Sequence, residues 1–342
     1  MRDFRTSQPD LDGKTLLVTG GTGSFGRHLV QTVLKHFKPA RLIIFSRDEM
    51  KQYEMALRFS PERFDCLRYF IGDVRDENRL RMAMRGVDYV IHAAALKHVP
   101  SAEYNPFECI KTNVNGAENI VNAAIHADVK QVIALSTDKA VSPLNLYGAS
   151  KLAADKIFVA ANNLSGHQGT EFSVVRYGNV LGSRGSVIPF FRRLIADGAD
   201  SLPITDVRMT RFWITLEQGV NFVLSSMAIA CGGEIFVPKI PSMRVVDIAK
   251  AIAPNLPTKI VGIRPGEKLH ESLTAGDDAR VTLAYPDRFL VGPTFLGWSP
   301  EPHLLAGAEP VPEAFAYASD TNDEWLDEVA LHAILKTLEM AA

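Results

Sequence analysis

The stretch TLLVTGGTGSFG, residues 15–26, decides the fold because it joins a strand pattern, a glycine turn and the start of a helix. Residues 15–20 are apolar at most positions, as in a strand that is covered on both faces. Gly20, Gly23 and Gly26 would respectively allow a tight turn, let a pyrophosphate approach the backbone, and let the helix pack closely on the strand. The stretch therefore predicts a dinucleotide-binding turn. A tight turn that binds nothing is the alternative.

Strand and helix patterns alternate through the first two thirds of the chain. This alternation predicts an α/β fold, a Rossmann-like doubly wound parallel sheet with right-handed crossovers. The strand patterns lie at 15–20, 41–46, 89–95, 130–136 and 172–180, and the helical patterns at 25–37, 48–59, 76–85, 105–126 and 147–163.

The alternation stops after the fifth of these strands, which predicts a second, smaller lobe. Residues 12–180 are expected to form the dinucleotide-binding domain, and 210–236 to return to it. Residues 181–209 and 237–342 are expected to form a C-terminal substrate-binding lobe. The proline- and alanine-rich segment 297–315 predicts an irregular loop.

Composition limits the possible partners and compartments. The chain has 342 residues, of which 46% are hydrophobic and 22% are charged, and its net charge of −2 argues against a nucleic-acid partner. It has no run of about 18 apolar residues and no apolar signal core at its start, so neither a membrane span nor a secretory leader is expected. The distant Cys66, Cys109 and Cys231 favour a reducing, cytoplasmic compartment. No Cys/His group has zinc-ligand spacing, so no metal is expected.

The second predicted strand bears on the choice of cofactor. Its end, FSRDEMKQ (45–52), places Arg47 where NAD enzymes usually carry an acid for the ribose. A guanidinium there suits the 2′-phosphate of NADP, although Arg47 and Lys51 could simply face solvent. We therefore predict NADP rather than NAD. The other predicted cofactor contacts are Thr22, Ser24 and Phe25 in the glycine turn, Asp73 and Val74 after the third strand-like run, and Ala93 and Ala94 after the fourth.

Tyr147 and Lys151 form a Y-x-x-x-K pair that predicts redox chemistry. Four residues apart on a helix, the two side chains share a face. A lysine cation beside the phenol, with an oxidised nicotinamide nearby, would lower the pKa of Tyr147 toward neutrality. The tyrosine could then take a hydroxyl proton while hydride leaves the carbinol carbon. An exposed salt-bridge helix would show the same spacing.

Together these motifs resemble the extended short-chain dehydrogenase/reductase family, whose members mostly act on nucleotide sugars. The resemblance covers nearly the whole chain. The motifs that carry it are TGGTGSFG (19–26), GDVRD (72–76), HAAA (92–95), TNVNG (112–116), YGASK (147–151) and RYGNV (176–180).

Asp138 and Lys139 follow the fifth predicted strand directly, where ligands lie in open α/β sheets. They could be an ordinary turn pair. A carboxyl and an amine facing a bound sugar could also supply an acid and a base: once C4 is a ketone, the C5 proton is acidified and the C6 hydroxyl can leave. Thr137-Asp138-Lys139 resembles the Thr-Asp-Lys form of the family's 4,6-dehydratases that act on UDP-N-acetylglucosamine, whereas simple 4-epimerases generally lack the acidic pair.

The resemblance to this subgroup implies a substrate, a cofactor and an assembly. With Tyr147 present and no membrane segment expected, the chain resembles the soluble, C5-inverting members of the pseudaminic-acid pathway. The resemblance to these members implies UDP-N-acetylglucosamine as the substrate, tightly bound NADP as the cofactor and a homo-oligomeric assembly. It also implies that Thr137 assists Tyr147. The split of acid and base work between Asp138 and Lys139 stays open. The longer shared motifs are ALKHVP (95–100), STDKAVSP (136–143), RYGNVLGSRGSVIPFF (176–191), MTRFWIT (209–215), PSMRVVDIAKAI (241–252) and RPGEKLHE (264–271).

Substrate contacts are predicted mainly within these motifs. Arg211 and Arg264 are the candidates for the diphosphate, since a guanidinium binds phosphate as a bidentate fork. Ordinary surface arginines are the alternative. The resemblance assigns Glu267 to a ribose hydroxyl and Asn179 to the phosphate or sugar. The remaining candidates are Lys97, Arg184 and Ser186. A UDP-sugar 4-epimerase and a non-catalytic NADP-sensing protein remain alternative functions.

Overall fold

The structure is a computed structural model that describes residues 2–166, 169–183, 185–294 and 297–340. Its first half alternates strands with helices. The strands are β1 (Thr15–Thr19), β2 (Arg41–Ser46), β3 (Leu67–Ile71), β4 (Tyr89–His92), β5 (Gln131–Thr137) and β6 (Glu171–Tyr177). The helices are α1 (Ser24–His36), α2 (Glu49–Arg58), α3 (Glu77–Ala83), α4 (Val99–Tyr104), α5 (Pro106–Ile110), α6 (Gly116–His126) and α7 (Leu146–Ser165), with a π-helical turn at Lys111–Asn115 and a 3-10 turn at Asp138–Ala140.

Shorter elements follow in the second half. The strands are β7 (Asn179–Val180), β8 (Leu202–Ile204), β9 (Thr210–Ile214), β10 (Ile235–Pro238), β11 (Ser242–Arg244), β12 (Thr258–Ile260), β13 (Ser272–Thr274), β14 (Thr282–Ala284), β15 (Arg288–Val291), β16 (Glu309–Pro310) and β17 (Tyr317–Ala318). The helices are α8 (Val187–Ala196), α9 (Leu216–Met227), α10 (Val245–Ile252), α11 (Glu301–Leu305) and α12 (Glu328–Met340), with a 3-10 segment at Gly276–Val281.

One large sheet organises the molecule, with the strand order β3-β2-β1-β4-β5-β6-β10-β15-β14-β16. The strands from β3 to β10 are parallel, and β15, β14 and β16 continue the sheet in antiparallel pairing. The predicted doubly wound α/β sheet is therefore confirmed. The winding reverses between β1 and β4, and this reversal opens a crevice at the carboxyl ends of these strands.

Burial explains why the strand patterns read as continuous apolar runs. All five residues of β1 are buried, as are five of the six residues of β2, because helices cover both faces. Helix α1 contributes Leu29, Val30 and Val33 to this core, each worth about 1.5–3 kcal/mol of hydrophobic burial. Among the described helices, none is both long enough and apolar enough to cross a bilayer.

The C-terminal half divides between this sheet and a smaller lobe. Two small clusters, around Trp213 and around Phe191, form cores separate from the main one. The strand pattern assigns all of 237–342 to the lobe, but β14, β15 and β16 extend the main sheet instead. These strands join the main sheet because β15 pairs with β10, which places Ile235 opposite Val291. The division into two domains otherwise stays a prediction.

Candidate active site

The glycine turn brings β1 and β4 into close contact. Gly20 has φ +64°, and a Cβ at this position would lie 2.8 Å from the Ala94 nitrogen and 2.9 Å from the Ala93 oxygen. Only glycine tolerates both the positive φ and this approach. The Ala93 and Ala94 backbone amides donate to the Thr19 hydroxyl, at 3.2 and 3.3 Å. The predicted cofactor residues of the two strands therefore lie side by side at the crevice.

The start of α1 has the form of a phosphate cradle. A Cβ on Gly26 would lie 2.5 Å from the Gly21 oxygen, so this glycine lets the helix sit directly on the turn. Gly23 is the N-cap of α1 and no side chain caps the helix, so its N-terminal dipole faces the turn. This cradle fits a dinucleotide pyrophosphate. The other predicted turn residues are the buried Thr22 and the half-buried Ser24 and Phe25.

The ribose end of the crevice carries an arginine and an aspartate. The exposed Arg47 has its Nη1 3.8 Å from Asp73 Oδ2. Burial acts to raise the pKa of Asp73, but hydrogen bonds from Arg75 outweigh it and hold that pKa below its usual value. Val74 is buried, and a Cβ on Gly116 would lie 3.0 Å from its side chain. The guanidinium of Arg47 is thus exposed at this end of the crevice, and its contact with a ribose phosphate stays a prediction.

Helix α7 packs directly against the turn that carries Asp138 and Lys139. Asn145 caps the helix by accepting from the Gly148 amide at 2.8 Å. A Cβ on Gly148 would overlap the carbonyl oxygen of Lys139. The glycine of YGASK therefore allows Tyr147 to lie close to the acid–base pair.

The phenol of Tyr147 is buried, and its pKa is raised rather than lowered. Burial raises this pKa to about 12, while the charge of Lys139 and a hydrogen bond with Thr137 act in the opposite direction. The Y-x-x-x-K spacing predicts that Lys151 lowers it. In the structure, Lys151 Nζ instead donates to the Leu135 carbonyl at 2.7 Å, and burial lowers the pKa of Lys151. The cation that favours the phenolate in this arrangement is Lys139.

Asn113, which we did not predict as a site residue, fixes the position of this helix. Its amide donates to the Leu96 carbonyl at 2.9 Å and to the Ser150 hydroxyl at 2.9 Å. Ser150 in turn donates to the carbonyl of Tyr147 at 2.7 Å. Asn113 lies in the π-helical turn, a feature often found at functional sites. The chain of bonds connects the loop after β4 to the helix that carries Tyr147.

Asp138 and Lys139 form an ion pair in which Asp138 is buried and Lys139 is half-buried. Asp138 Oδ1 accepts from Lys139 Nζ and from the Thr137 hydroxyl, both at 2.9 Å. Its Oδ2 is buried and has no hydrogen-bond partner among the described residues. Burial acts to lower the pKa of Lys139, but the charges of Asp138 and Glu271 raise it above its usual value. Because an unpaired buried oxygen is costly, Oδ2 suits a hydrogen bond from a substrate hydroxyl.

Glu271 is a member of this site that we did not predict from the sequence. It is only 2% exposed, and its Oε1 lies 3.5 Å from Lys139 Nζ and 3.7 Å from Arg211 Nε. Its Oε2 lies 3.6 Å from Lys268 Nζ. RPGEKLHE ends in this residue, but the pattern contains no signal that the loop folds onto Asp138 and Lys139. The site therefore holds a second buried carboxylate among three cations.

Arg211 is buried, and its two terminal nitrogens donate to backbone carbonyls. Its Nη1 donates to the carbonyls of Thr210, at 2.7 Å, and Leu269, at 3.0 Å. Its Nη2 donates to the Lys268 carbonyl at 2.9 Å. In this geometry Arg211 holds the loop against β9 and has its Nε 3.7 Å from Glu271 Oε1, and its contact with a diphosphate stays a prediction.

The same loop brings Arg264 and Glu267 to the edge that carries Tyr147. Arg264 is exposed and bonds Glu267 through both carboxylate oxygens, at 2.7 and 3.1 Å. The Asn145 amide donates to the Gly266 carbonyl at 2.8 Å and so docks the loop on the start of α7. Arg264 is thus the more accessible of the two predicted phosphate-binding arginines.

The remaining predicted substrate residues surround Lys139 or lie at the start of α8. Asn179 Oδ1 lies 3.5 Å from Lys139 Nζ. Burial, and then the charge of Lys139, lower the pKa of Lys97, which places the two amines near each other. Ser186 is the N-cap of α8, and its buried hydroxyl has no hydrogen-bond partner among the described residues. Arg184 lies outside the described residues.

Comparison with known proteins identifies the family. Residues 16–293 match the model of the polysaccharide biosynthesis protein family. Over 333 residues the chain is 55% identical to the inverting UDP-N-acetylglucosamine 4,6-dehydratase of Campylobacter jejuni, an alignment that covers 96% of this chain and 99% of the relative. It is also 46% identical over 274 residues to a UDP-glucose 4-epimerase of Rickettsia akari, covering 78% of this chain and 79% of the relative.

Solved structures agree with the fold. The X-ray structure of Pen from Bacillus thuringiensis matches with a TM-score of 0.87 and 36% identity, covering 96% of this chain and 99% of Pen. DesIV, a dTDP-glucose 4,6-dehydratase from Streptomyces venezuelae solved with NAD and TYD bound, matches with a TM-score of 0.67 and 25% identity over 78% of this chain and 90% of DesIV. The chain belongs to the polysaccharide biosynthesis protein family, and its close homologues are inverting UDP-N-acetylglucosamine 4,6-dehydratases.

Proposed function

We propose that this protein converts UDP-N-acetylglucosamine to the C5-inverted UDP-2-acetamido-2,6-dideoxy-4-keto-hexose. The observation that carries the proposal is the ion pair of the buried Asp138 with the half-buried Lys139, whose hydrogen bond is 2.9 Å long, against the helix that bears Tyr147. Oxidation alone needs only the tyrosine site, whereas elimination of water needs an acid and a base as well. The 55% identical C. jejuni dehydratase supports the same reaction.

The cofactor of this reaction is proposed to be NADP. The glycine cradle at Gly20, Gly23 and Gly26 fits a dinucleotide, and the exposed Arg47 at the ribose end favours the 2′-phosphate. When bound, NADP supplies the hydride acceptor for C4 and afterwards the hydride donor for C6. Because the cofactor is regenerated in each turnover, it should stay bound.

Tyr147 is proposed to take the proton of the 4-hydroxyl while C4 loses hydride. Thr137 and the positive charge of Lys139 both act to lower the pKa of the phenol and so favour the phenolate. Lys151 lies one helical turn further on and is held by the Leu135 carbonyl at 2.7 Å. This bond holds the Lys151 ammonium group at β5, next to the place proposed for the oxidised cofactor and the substrate.

Elimination is proposed to use both members of the ion pair. Lys139 takes the C5 proton, and Asp138 protonates the departing C6 hydroxyl. Moving one proton along the 2.9 Å bond from Lys139 Nζ to Asp138 Oδ1 converts the ammonium–carboxylate pair into the amine and acid that this step requires. Oδ1, which then carries the proton, gives it to the leaving hydroxyl, and the unpaired Oδ2 is left to accept a hydrogen bond from the substrate. Hydride then enters at C6 and a proton enters C5 from the opposite face, so two protons are taken up and two are given back.

The wider assignments rest on the resemblance to the inverting subgroup. They are a role in pseudaminic-acid synthesis, a homo-oligomeric assembly, a cytoplasmic location, and substrate binding by the smaller lobe. For the substrate we propose Arg264 and Glu267 at the nucleotide end, with Asn179, Lys97 and Ser186 nearer the sugar. Arg264 and Glu267 lie on the same loop, where Arg264 Nη2 is 2.7 Å from Glu267 Oε1.

A UDP-sugar 4-epimerase is the rival function, and the R. akari relative bears that name. The test is incubation with UDP-N-acetylglucosamine without added nucleotide, followed by mass spectrometry of the product. The dehydratase gives a product lighter by one water. An epimer of unchanged mass as the sole product would refute the proposal. Asp138→Asn should lose the dehydrated product while it still oxidises C4, which separates the elimination pair from the redox site.

A further inference from the structure

A group of potential metal ligands lies outside the site described above. Among the described residues, Cys231, Glu234 and His303 form a group whose ligand atoms all lie within 4.8 Å of one another. Glu234 directly precedes β10, so the group lies at the amino ends of the parallel strands. Asp138 follows the carboxyl end of β5, at the opposite edge of the sheet. The group is therefore separate from the proposed active site.

Two parts of the chain build this group. Gly232 and Gly233, with φ +92° and +98°, turn the backbone so that the Cys231 amide donates to Glu234 Oε1 at 2.8 Å. His303, on α11 of the C-terminal segment, brings its Nε2 to 3.1 Å from the same oxygen. Glu234 and His303 are 0% and 2% exposed, whereas the Cys231 thiol is exposed.

Outer hydrogen bonds orient both buried side chains. The Ser173 hydroxyl donates to Glu234 Oε2 at 2.7 Å. His303 Nδ1 lies 2.9 Å from the Tyr285 hydroxyl. These bonds leave Oε1 and Nε2 directed at each other beside the thiol. Metal-binding carboxylates and histidines are commonly held by such second partners, which fix the ring orientation and the free atom.

We propose that Cys231, Glu234 and His303 bind a zinc ion that clamps α11 to the start of β10. Thiolate, imidazole and carboxylate are the ligands that Zn²⁺ prefers, and three protein ligands leave a fourth, tetrahedral position for water. The ion would replace the proton between Nε2 and Oε1. The exposed thiol can turn inward to complete the set, and it leaves a path for the ion to enter. Sequence spacing hides this site because His303 lies 69 residues beyond Glu234.

Cobalt titration of the full-length protein after chelator treatment tests the thiolate ligand. Wild-type protein should bind one Co²⁺ with a thiolate-to-cobalt charge-transfer band, and Zn²⁺ should abolish the band. Cys231→Ser should lack the band, and Cys66→Ser, a change at a half-buried cysteine elsewhere, should keep it. A wild-type protein without the band, or a band that persists in Cys231→Ser, would overturn the proposal.

Tyr285 allows a second test, because it contacts His303 but is not itself one of the proposed zinc ligands. Tyr285→Phe removes the hydroxyl next to His303 Nδ1 and should weaken Zn²⁺ binding roughly 10–100-fold. Saturating Zn²⁺ should raise the thermal midpoint of the wild-type protein and leave that of Cys231→Ser unchanged. Equal zinc affinities for the wild-type, Tyr285→Phe and Cys231→Ser proteins would show that the ion binds elsewhere.

Discussion

Replacing Glu271 by Gln removes one buried negative charge next to Lys139 and changes the side-chain shape very little. Glu271 Oε1 lies 3.5 Å from Lys139 Nζ. With an effective dielectric constant of about 20, two unit charges at that distance interact by about 5 kcal/mol. The carboxylate stabilises the ammonium form, so its loss lowers the pKa of Lys139. The positive charge of Arg211 stays in place and acts in the same direction.

The pH dependence of kcat for dehydration measures this effect. The active pair holds one proton between Lys139 and Asp138, so loss of the Lys139 proton to solvent ends activity at high pH, and this basic limb of the profile should move to lower pH in Glu271→Gln. We expect a displacement of at least about one pH unit, since about 1.4 kcal/mol corresponds to one unit and relaxation absorbs much of the rest. A basic limb that does not move in a folded Glu271→Gln protein would refute the assignment of Lys139 as the base.

Glu267→Gln is the matched control for that experiment. It makes the same chemical change in the same loop, but this carboxylate is paired with Arg264 at 2.7 Å. It should raise KM, because it removes the proposed ribose contact, and leave the basic limb in place. A shift in both variants would indicate a general change of the loop instead of a specific effect on Lys139.

Three further variants test separate parts of the site. Gly148→Ala should destabilise the fold by about 1–3 kcal/mol through overpacking and so lower the thermal midpoint, because the added methyl group would overlap the Lys139 carbonyl. Gly276→Ala, where nothing lies within 4 Å of the added methyl group, is the control. Equal thermal midpoints for the two variants would contradict this packing. Tyr147→Phe should slow dehydration roughly 10²–10⁴-fold with UDP-sugar affinity in calorimetry unchanged, and full activity would exclude it as the base. Arg47→Ala should weaken NADP binding by about 1.5–3 kcal/mol and spare NAD, whereas an equal loss for both would remove the argument for NADP.

Local patterns were sufficient to predict the dinucleotide-binding half. The strand patterns at 15–20 and 41–46 correspond to Thr15–Thr19 and Arg41–Ser46, because continuous apolar runs and glycine turns are properties of adjacent residues. The helical pattern at 105–126 is less regular in the structure. It contains a short helix, the π-helical turn at Lys111–Asn115 and a second helix. That turn depends on the contacts of Asn113 with other elements, which periodicity does not record.

Features that depend on distant contacts could not be predicted from the sequence. β15 joins the main sheet because it pairs with β10, and Glu271 enters the site because a loop folds back onto Lys139. The raised pKa of Tyr147 comes first from burial, and burial is a property of the folded chain. The engaged donors of Arg211 are likewise visible only once Lys268 and Leu269 are in place.

Turnover of UDP-N-acetylglucosamine in deuterated water tests the central claim most directly. The proposed reaction removes the C5 proton and returns one from the opposite face, so NMR of the product should show a 4-keto-6-deoxy sugar with deuterium at C5 and inverted configuration there. A product that keeps its original hydrogen at C5, or that is only the C4 epimer, would contradict the assignment of Asp138 and Lys139 as an elimination pair.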